Sequence, residues 1–195
     1  GIEVKLVSPE GSSPISLLTE KSDPDMSLKL ASIEADFASL TDKIAIQKKT
    51  IADSIAPIKK QLAYLMAKPS IKPVVASLTA GFGYRKNPFT SRGSEFHKGI
   101  DFAASYGQTV SATGDGIVAF AGWNAGYGRM VIISHGYGLT TLYAHNSKLL
   151  VKQGDKVKKG QAIAKAGNTG RSTGTHLHYE VKLNGKNVNP ANYFN

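Results

Sequence analysis

The 195-residue chain contains no cysteine. Disulfide scaffolds, cysteine-based zinc fingers and thiol nucleophiles are therefore excluded, and any metal must be held by His, Asp or Glu. No apolar run approaches the ~20 residues of a membrane-spanning helix. Residues 1–86 contain neither His nor Asn. Acidic residues are scarce beyond Lys72. Residues 73–195 carry five Asp and Glu against 14 Lys and Arg, whereas residues 1–72 carry nine against ten. The formal charge of +10 thus resides almost wholly in the C-terminal part. Such a domain is either merely soluble or meets a polyanion, whether nucleic acid, anionic lipid or an acidic wall polymer. No helix-turn-helix pattern, aromatic RNA-binding signature or zinc-finger spacing supports nucleic acid. An apolar share of 41% against 19% charged residues excludes a wholly disordered chain. The opening at Gly1 fits a processed product, with which a removed leader or a membrane anchor outside this sequence is compatible.

What is present divides near Lys72. Residues 1–27 are rich in Ser, Pro and acidic residues and read as irregular, with a short strand expected around Val4, Leu6 and Val7. From Ser27, a candidate N-cap, Leu30, Phe37, Ile44, Ile51, Ile58 and Leu65 recur every seven residues. Ile33 and Leu40 fill the companion position; Gln47, Ser54 and Gln61 replace it, and Ile55 and Leu62 move the stripe sideways. A seven-residue apolar repeat predicts a coiled coil or a long helical arm. Such a stripe requires a cover: a second copy in a helix-mediated dimer, an envelope-protein partner, or the C-terminal domain. Pro57 removes a backbone donor, so a kink or break is expected near Ala56. Lys68–Lys72, with Pro69 and the following Pro73, reads as a linker. The expected domains are 1–72, an irregular segment plus arm and linker, and 73–195.

All glycines except Gly1 and Gly11 lie in the second domain. There the helical period disappears. β-rich runs at Gly116–Phe120, Met130–Ser134, Leu139–Ala144, Ala162–Ala166 and His178–Leu183 alternate with turn residues. Asn184-Gly185 predicts a two-residue hairpin, and Asp115-Gly116 a second turn. The fold class that follows is α+β: a compact antiparallel sheet preceded by a helical arm.

All five histidines also lie here. Residues i and i+2 of a strand share a face, so His176 and His178 would project together, with Leu177 turned inward. Glu180 falls on that face too. It reads as an exposed carboxylate or as a partner of a metal-bound imidazole. His97 and Asp101, in His97-Lys98-Gly99-Ile100-Asp101, offer an imidazole and a carboxylate from a loop entering a strand. Imidazole and carboxylate donors suit zinc, and three protein ligands leave a fourth position for water. His145 follows an apolar run and by itself reads as a satisfied histidine. His135, in Ser134-His135-Gly136, fits a turn or groove wall. Spacing does not say which histidine of the His-x-His pair is a ligand.

Several separated motifs, in order, carry a resemblance. They are Gly81-Phe82-Gly83-Tyr84-Arg85, His97-Lys98-Gly99-Ile100-Asp101-Phe102, Gly107-Gln108-Thr109-Val110, Ala112-Thr113-Gly114-Asp115-Gly116, Tyr143-Ala144-His145, His176-Leu177-His178-Tyr179-Glu180 and Val188-Asn189-Pro190. Over about residues 78–194 the chain resembles the lysostaphin-like (LytM-type) zinc metallopeptidases that cut peptidoglycan cross-links. The resemblance implies an antiparallel sheet with a narrow groove, a Zn²⁺ cofactor held by His97, Asp101 and His178, and catalytic roles for His145 and His176 beside the metal-bound water. Thr175 departs from the family, where Pro often precedes the pair. The implied activity is endopeptidase cleavage of peptidoglycan in the bacterial cell envelope, periplasmic or at the cell surface. The alternative is a non-catalytic coiled-coil activator of other wall hydrolases, since some relatives have lost their ligands. All five site residues are present here, against that alternative. Occlusion of the groove by the arm is a further expectation to test.

Overall fold

The computed structural model describes residues 24–88, 90 and 92–194. The strand expected near Val4 lies outside the described residues. Helix α1 runs from Pro24 to Ala67. Proline suits a first helical position, where its missing donor has no partner to lose. Ser27 therefore lies within the first turn instead of capping it. The helix does not break near Ala56 but continues through Pro57. One donor is forfeited there, while cooperative hydrogen bonding in the flanking turns is retained. Between Pro24 and Pro57 the apolar stripe of Leu30, Phe37, Ile44 and Ile51 is exposed. Among the described residues no helix is long and apolar enough to cross a membrane.

The chain divides into two compact units, at Pro57–Ile58. The last turns of α1 thus belong with the β unit. Their terminal carbonyls, which have no helical partner, are met from that unit. The Asp115 N–H donates to the Met66 carbonyl at 2.8 Å, and Lys159 Nζ to that of Leu65 at 2.7 Å. A cation at a helix C-terminus also opposes the helix dipole. Tyr64 meets Tyr137 edge-on, with ring centroids 5.1 Å apart. A Cβ on Gly114 would land on the Ala67 carbonyl, so this docking requires glycine. The segment read as a linker is hydrogen bonded to the sheet unit: the Ser70 N–H donates to Thr113 O and the Ser111 N–H to Pro73 O.

Among the described residues twelve strands follow. They are β1 (Leu78–Ala80), β2 (Gly83–Lys86), β3 (Ser94–His97), β4 (Ile100–Phe102), β5 (Thr109–Ser111), β6 (Gly116–Asn124), β7 (Gly128–Gly136), β8 (Leu139–Leu149), β9 (Lys156–Val157), β10 (Ala162–Ala166), β11 (Leu177–Leu183) and β12 (Lys186–Val188). The main antiparallel sheet has the order β1-β4-β11-β8-β7-β6-β9; β10 joins β8 to β5, and β12 extends β11. Strands β2 and β3 form a separate ribbon. The hairpin at Asn184-Gly185 is present, with φ values of 50° and 77°. Asp115 ends the bent connection between β5 and β6, and Gly116 opens β6.

Val110, Val118, Val131, Ile133, Ile163 and Leu177 build the core. Within it the Tyr143 hydroxyl accepts from the Thr113 N–H at 2.9 Å and from Thr141 Oγ1 at 3.0 Å. Thr113 Oγ1 lies 2.9 Å from the Tyr179 hydroxyl. His135 closes this network, its ring nitrogens 2.7 Å from both Asp115 O and Thr141 Oγ1. It lies in β7 and not in a turn, and it is buried there with partners for both its nitrogens.

The register centres the site. His178 of β11 lies opposite Asp101 on β4 and opposite Ala144 on β8. Gly99 makes the β3-to-β4 passage possible: a Cβ there would land on the Tyr179 carbonyl, with Glu180 Cγ at 3.0 Å. Gly99→Ala is expected to destabilise the fold by about 1–3 kcal/mol, because the β11 backbone must shift. Urea unfolding measures this, and an unchanged midpoint would contradict it.

Candidate active site

Five of the sequence-identified residues converge on a cleft of about 320 Å³. His97 comes from the end of β3, Asp101 from β4, His178 from β11 and His145 from β8; His176 precedes β11. His97 Nε2 is 3.0 Å from His178 Nδ1. Asp101 Oδ1 is 2.8 Å from His178 Nδ1 and 3.2 Å from His97 Nε2. Among the described residues these three alone form a group able to hold a metal ion. Tetrahedral zinc with bonds of 2.0–2.1 Å separates its ligands by about 3.3 Å. The observed triangle is close to one face of that tetrahedron, so the donors fit zinc.

The other atoms of these rings are already committed. His97 Nδ1 is 2.7 Å from the Gly81 carbonyl, to which it donates, leaving Nε2 with its lone pair. His178 Nε2 is 3.1 Å from Glu180 Oε1, leaving Nδ1 toward the triangle. Such outer bonds set the tautomer of a metal-ligating imidazole. Glu180 is 0% exposed. This overturns the simpler expectation of a solvated carboxylate. Its charge is tolerated inside because Tyr127 OH donates to Oε1 at 2.7 Å and Asn187 Nδ2 to Oε2 at 2.7 Å.

Burial by itself would raise the Asp101 carboxyl. The His178 and His97 rings packed beside it outweigh burial and hold it well below the usual carboxylate range. Burial acts likewise on Glu180, and its bonds from His178 and Tyr127 keep it low. For His178, burial disfavours the charged form, but the flanking carboxylates Asp101 and Glu180 prevail and raise its pKa.

His145 and His176 form a second tier. Their ring centroids lie 4.7 Å apart, and His145 is 5.9 Å from His178. His176 Nε2 is 3.8 Å from Asp101 Oδ1. Each ring turns Nδ1 to a backbone carbonyl: Thr169 O at 2.8 Å for His145, Gly174 O at 2.8 Å for His176. In its neutral form each ring then carries its lone pair on Nε2. Burial depresses His145 to about 4, against the Thr169 carbonyl, which raises it. His145 occupies left-handed backbone at φ 61°, which is uncommon for a residue with a Cβ. Asn146 Nδ2 donates to Tyr143 O and Arg129 O at 2.8 and 3.0 Å and so ties β8 beside His145 to β7. Tyr127, Asn187, Thr169 and Arg85, which shape this site, were not legible as functional residues. Only Arg85 lay in a motif already noted.

Removal of the buried carboxylate by Glu180→Ala is expected to cost about 3 kcal/mol, since the Tyr127 and His178 donors are left unpaired. Glu180→Gln, which keeps an acceptor, is expected to recover part of this. Urea unfolding of the metal-free protein measures both; equal stability of Glu180→Ala and the parent would refute it.

Residues 95–190 match the model of peptidase family M23. The chain is 46% identical over 123 residues to the DD-carboxypeptidase/endopeptidase Mpg of Neisseria meningitidis serogroup B, covering 63% of this chain and 28% of Mpg. It is 50% identical over 99 residues to the murein hydrolase activator NlpD of Escherichia coli K12, covering 50% of this chain and 26% of NlpD. The chain thus spans only about a quarter of these relatives. A zinc-containing peptidase from Vibrio cholerae superposes with a TM-score of 0.56 at 42% identity, covering 64% of this chain and 38% of that one. The catalytic domain of the prophage-encoded M23 protein EnpA from Enterococcus faecalis, in a point-mutant form, superposes with a TM-score of 0.57 at 34% identity. That match covers 65% of this chain and 98% of the EnpA domain. At 34% identity the superposition covers nearly all of the EnpA catalytic domain, and with the family-model match over residues 95–190 the chain belongs to peptidase family M23.

Proposed function

We propose that the β unit is a zinc metallo-endopeptidase that hydrolyses peptide cross-links of bacterial peptidoglycan. The observation that carries this reading is the triangle of His97 Nε2, Asp101 Oδ1 and His178 Nδ1 at 2.8–3.2 Å, with the remaining ring nitrogens already bonded elsewhere. When bound there, zinc would lower the pKa of water toward neutrality and polarise the amide carbonyl. Beside it, His145 and His176 each offer an unprotonated Nε2, since Nδ1 donates to Thr169 O or Gly174 O. One ring takes the proton of the attacking water at Nε2 and passes it to the leaving amine. The other donates to the oxygen on which negative charge develops once its own Nε2 has taken up a proton from solvent. The fixed Nδ1 bonds orient both rings before substrate arrives. The cleft wall bearing Tyr127, Phe96 and Arg171 receives the peptide.

The envelope is the compartment this substrate requires, and a partner or second copy covering the exposed stripe of α1 is consistent with it. Similarity to NlpD favours a second reading, an activator of other wall hydrolases. The intact donor triangle supports the peptidase reading over it.

Purified sacculi digested with and without a chelator, with fragments read by mass spectrometry, test the proposal. Chelator-sensitive release of cross-link peptides is expected. Absence of release by protein with zinc bound would favour the activator. Asp101→Ala is expected to lose zinc by elemental analysis. His145→Ala and His176→Ala are expected to retain zinc and to lose about 10²–10⁴-fold in rate. Full activity in both histidine variants would refute their assignment.

A further inference from the structure

Arg85 lies on the β2–β3 ribbon, directly opposite Glu95. Its guanidinium spans two carboxylates. Nη1 donates to Asp101 Oδ2 at 3.0 Å, while Nε and Nη2 donate to Glu95 Oε1 at 3.1 and 3.0 Å. The two oxygens of Asp101 are thus divided. Oδ1 belongs to the imidazole triangle and Oδ2 belongs to Arg85. For Asp101 to offer both oxygens to one cation, the carboxylate would have to turn and give up a charge-assisted bond, among the strongest a side chain makes.

We propose that Arg85, fixed by Glu95, is a positioning residue that restricts Asp101 to a single ligating oxygen. This inference rests on the metal-site reading above and deepens it. With Oδ2 occupied, the protein supplies three donor atoms and no more, the number that leaves a tetrahedral metal one open position. Glu95 has a second role. A lone cation beside the site would repel a metal ion. The Glu95 carboxylate, bonded twice by Arg85, neutralises that charge, so orientation outweighs repulsion. Lysine cannot replace this arrangement, because it has a point charge in place of a planar fork that engages two acceptors at fixed angles.

The ribbon that carries Arg85 is not part of the main sheet, and a two-stranded ribbon alone is marginally stable. It is braced by Phe96, whose ring meets Phe82 and Tyr84 edge-on, both with centroids 5.1 Å away. Arg85 to Asp101 ties this ribbon to β4, and His97 at the ribbon's end supplies another donor of the same triangle. The clamp therefore bonds one donor, Asp101, directly to the ribbon that ends in another, His97.

The test is metal binding by the full chain in Arg85→Gln, Arg85→Lys and Glu95→Gln, with zinc affinity measured by competition with a chromophoric chelator. Cobalt(II) replaces zinc for visible spectroscopy, which reports coordination number independently of activity. Arg85→Gln is expected to weaken zinc binding about 10- to 100-fold. Its cobalt bands should lose the intensity of a four-coordinate site as Asp101 takes up a second bond. Arg85→Lys should fall between, and Glu95→Gln should shift the spectrum in the same direction by less. Unchanged affinity and spectrum in folded Arg85→Gln would overturn the proposal. If Arg85→Gln fails to fold, an unchanged cobalt spectrum in Glu95→Gln would overturn it instead. Failure of the parent chain itself to bind zinc or cobalt would reject the metal site, a different outcome from an unaffected variant.

Discussion

Two imidazoles and a carboxylate held within 2.8–3.2 Å of one another, all buried, form an arrangement that a folded chain reaches only under constraint. Desolvation opposes the charge on Asp101, and close packing of three donors toward one point leaves little room for error. The rest of the site answers that cost. Gly81 O orients His97, Glu180 orients His178, and Arg85 holds the outer oxygen of Asp101. Glu180 in turn stays ionised inside because Tyr127 and Asn187 donate to it. Each donor is fixed by an atom that has no part in the triangle.

The sheet makes these bonds consistent with one another. His178 stands between Asp101 and Ala144 in continuous antiparallel register, so a one-residue slip of β11 would turn the imidazole away from the cleft. Tyr179, its neighbour in sequence, points the other way and enters the network of Thr113, Tyr143 and His135 hydroxyl and ring groups. Alternation along one strand thus ties the site on one face to the polar core on the other. Left-handed backbone at His145 is compatible with this frame because the Asn146 side chain bonds the carbonyls of Tyr143 and Arg129. Local strain at a candidate functional residue is sustained by its surroundings.

Much of the fold was legible because it rests on local chemistry. Strand Ala162–Ala166 was read with its observed bounds, and Asn184-Gly185 marked its hairpin because both positions need positive φ. Proline at 57 misled: the rule that proline ends helices is local, whereas α1 is sustained on both sides of it. Glycine 99 was noted only as part of a motif. That it must lack a Cβ follows from Tyr179, a residue on another strand.

By itself the sequence determined the donor types, since without cysteine only His, Asp and Glu were available. It also determined that His178 and Glu180 share a strand face and that the C-terminal part is a basic antiparallel sheet, whereas His176, expected on that face, precedes the strand. The tertiary structure decided the contacts. His97 and His178 are 81 positions apart, and Tyr127 and Glu180 are 53 apart. Period-two alternation assigns a side chain to a face but does not say what covers that face. Glu180 therefore read either as a solvent-exposed carboxylate or as a partner of a metal-bound imidazole until the strands closed over it and Tyr127, Asn187 and His178 took the place of water.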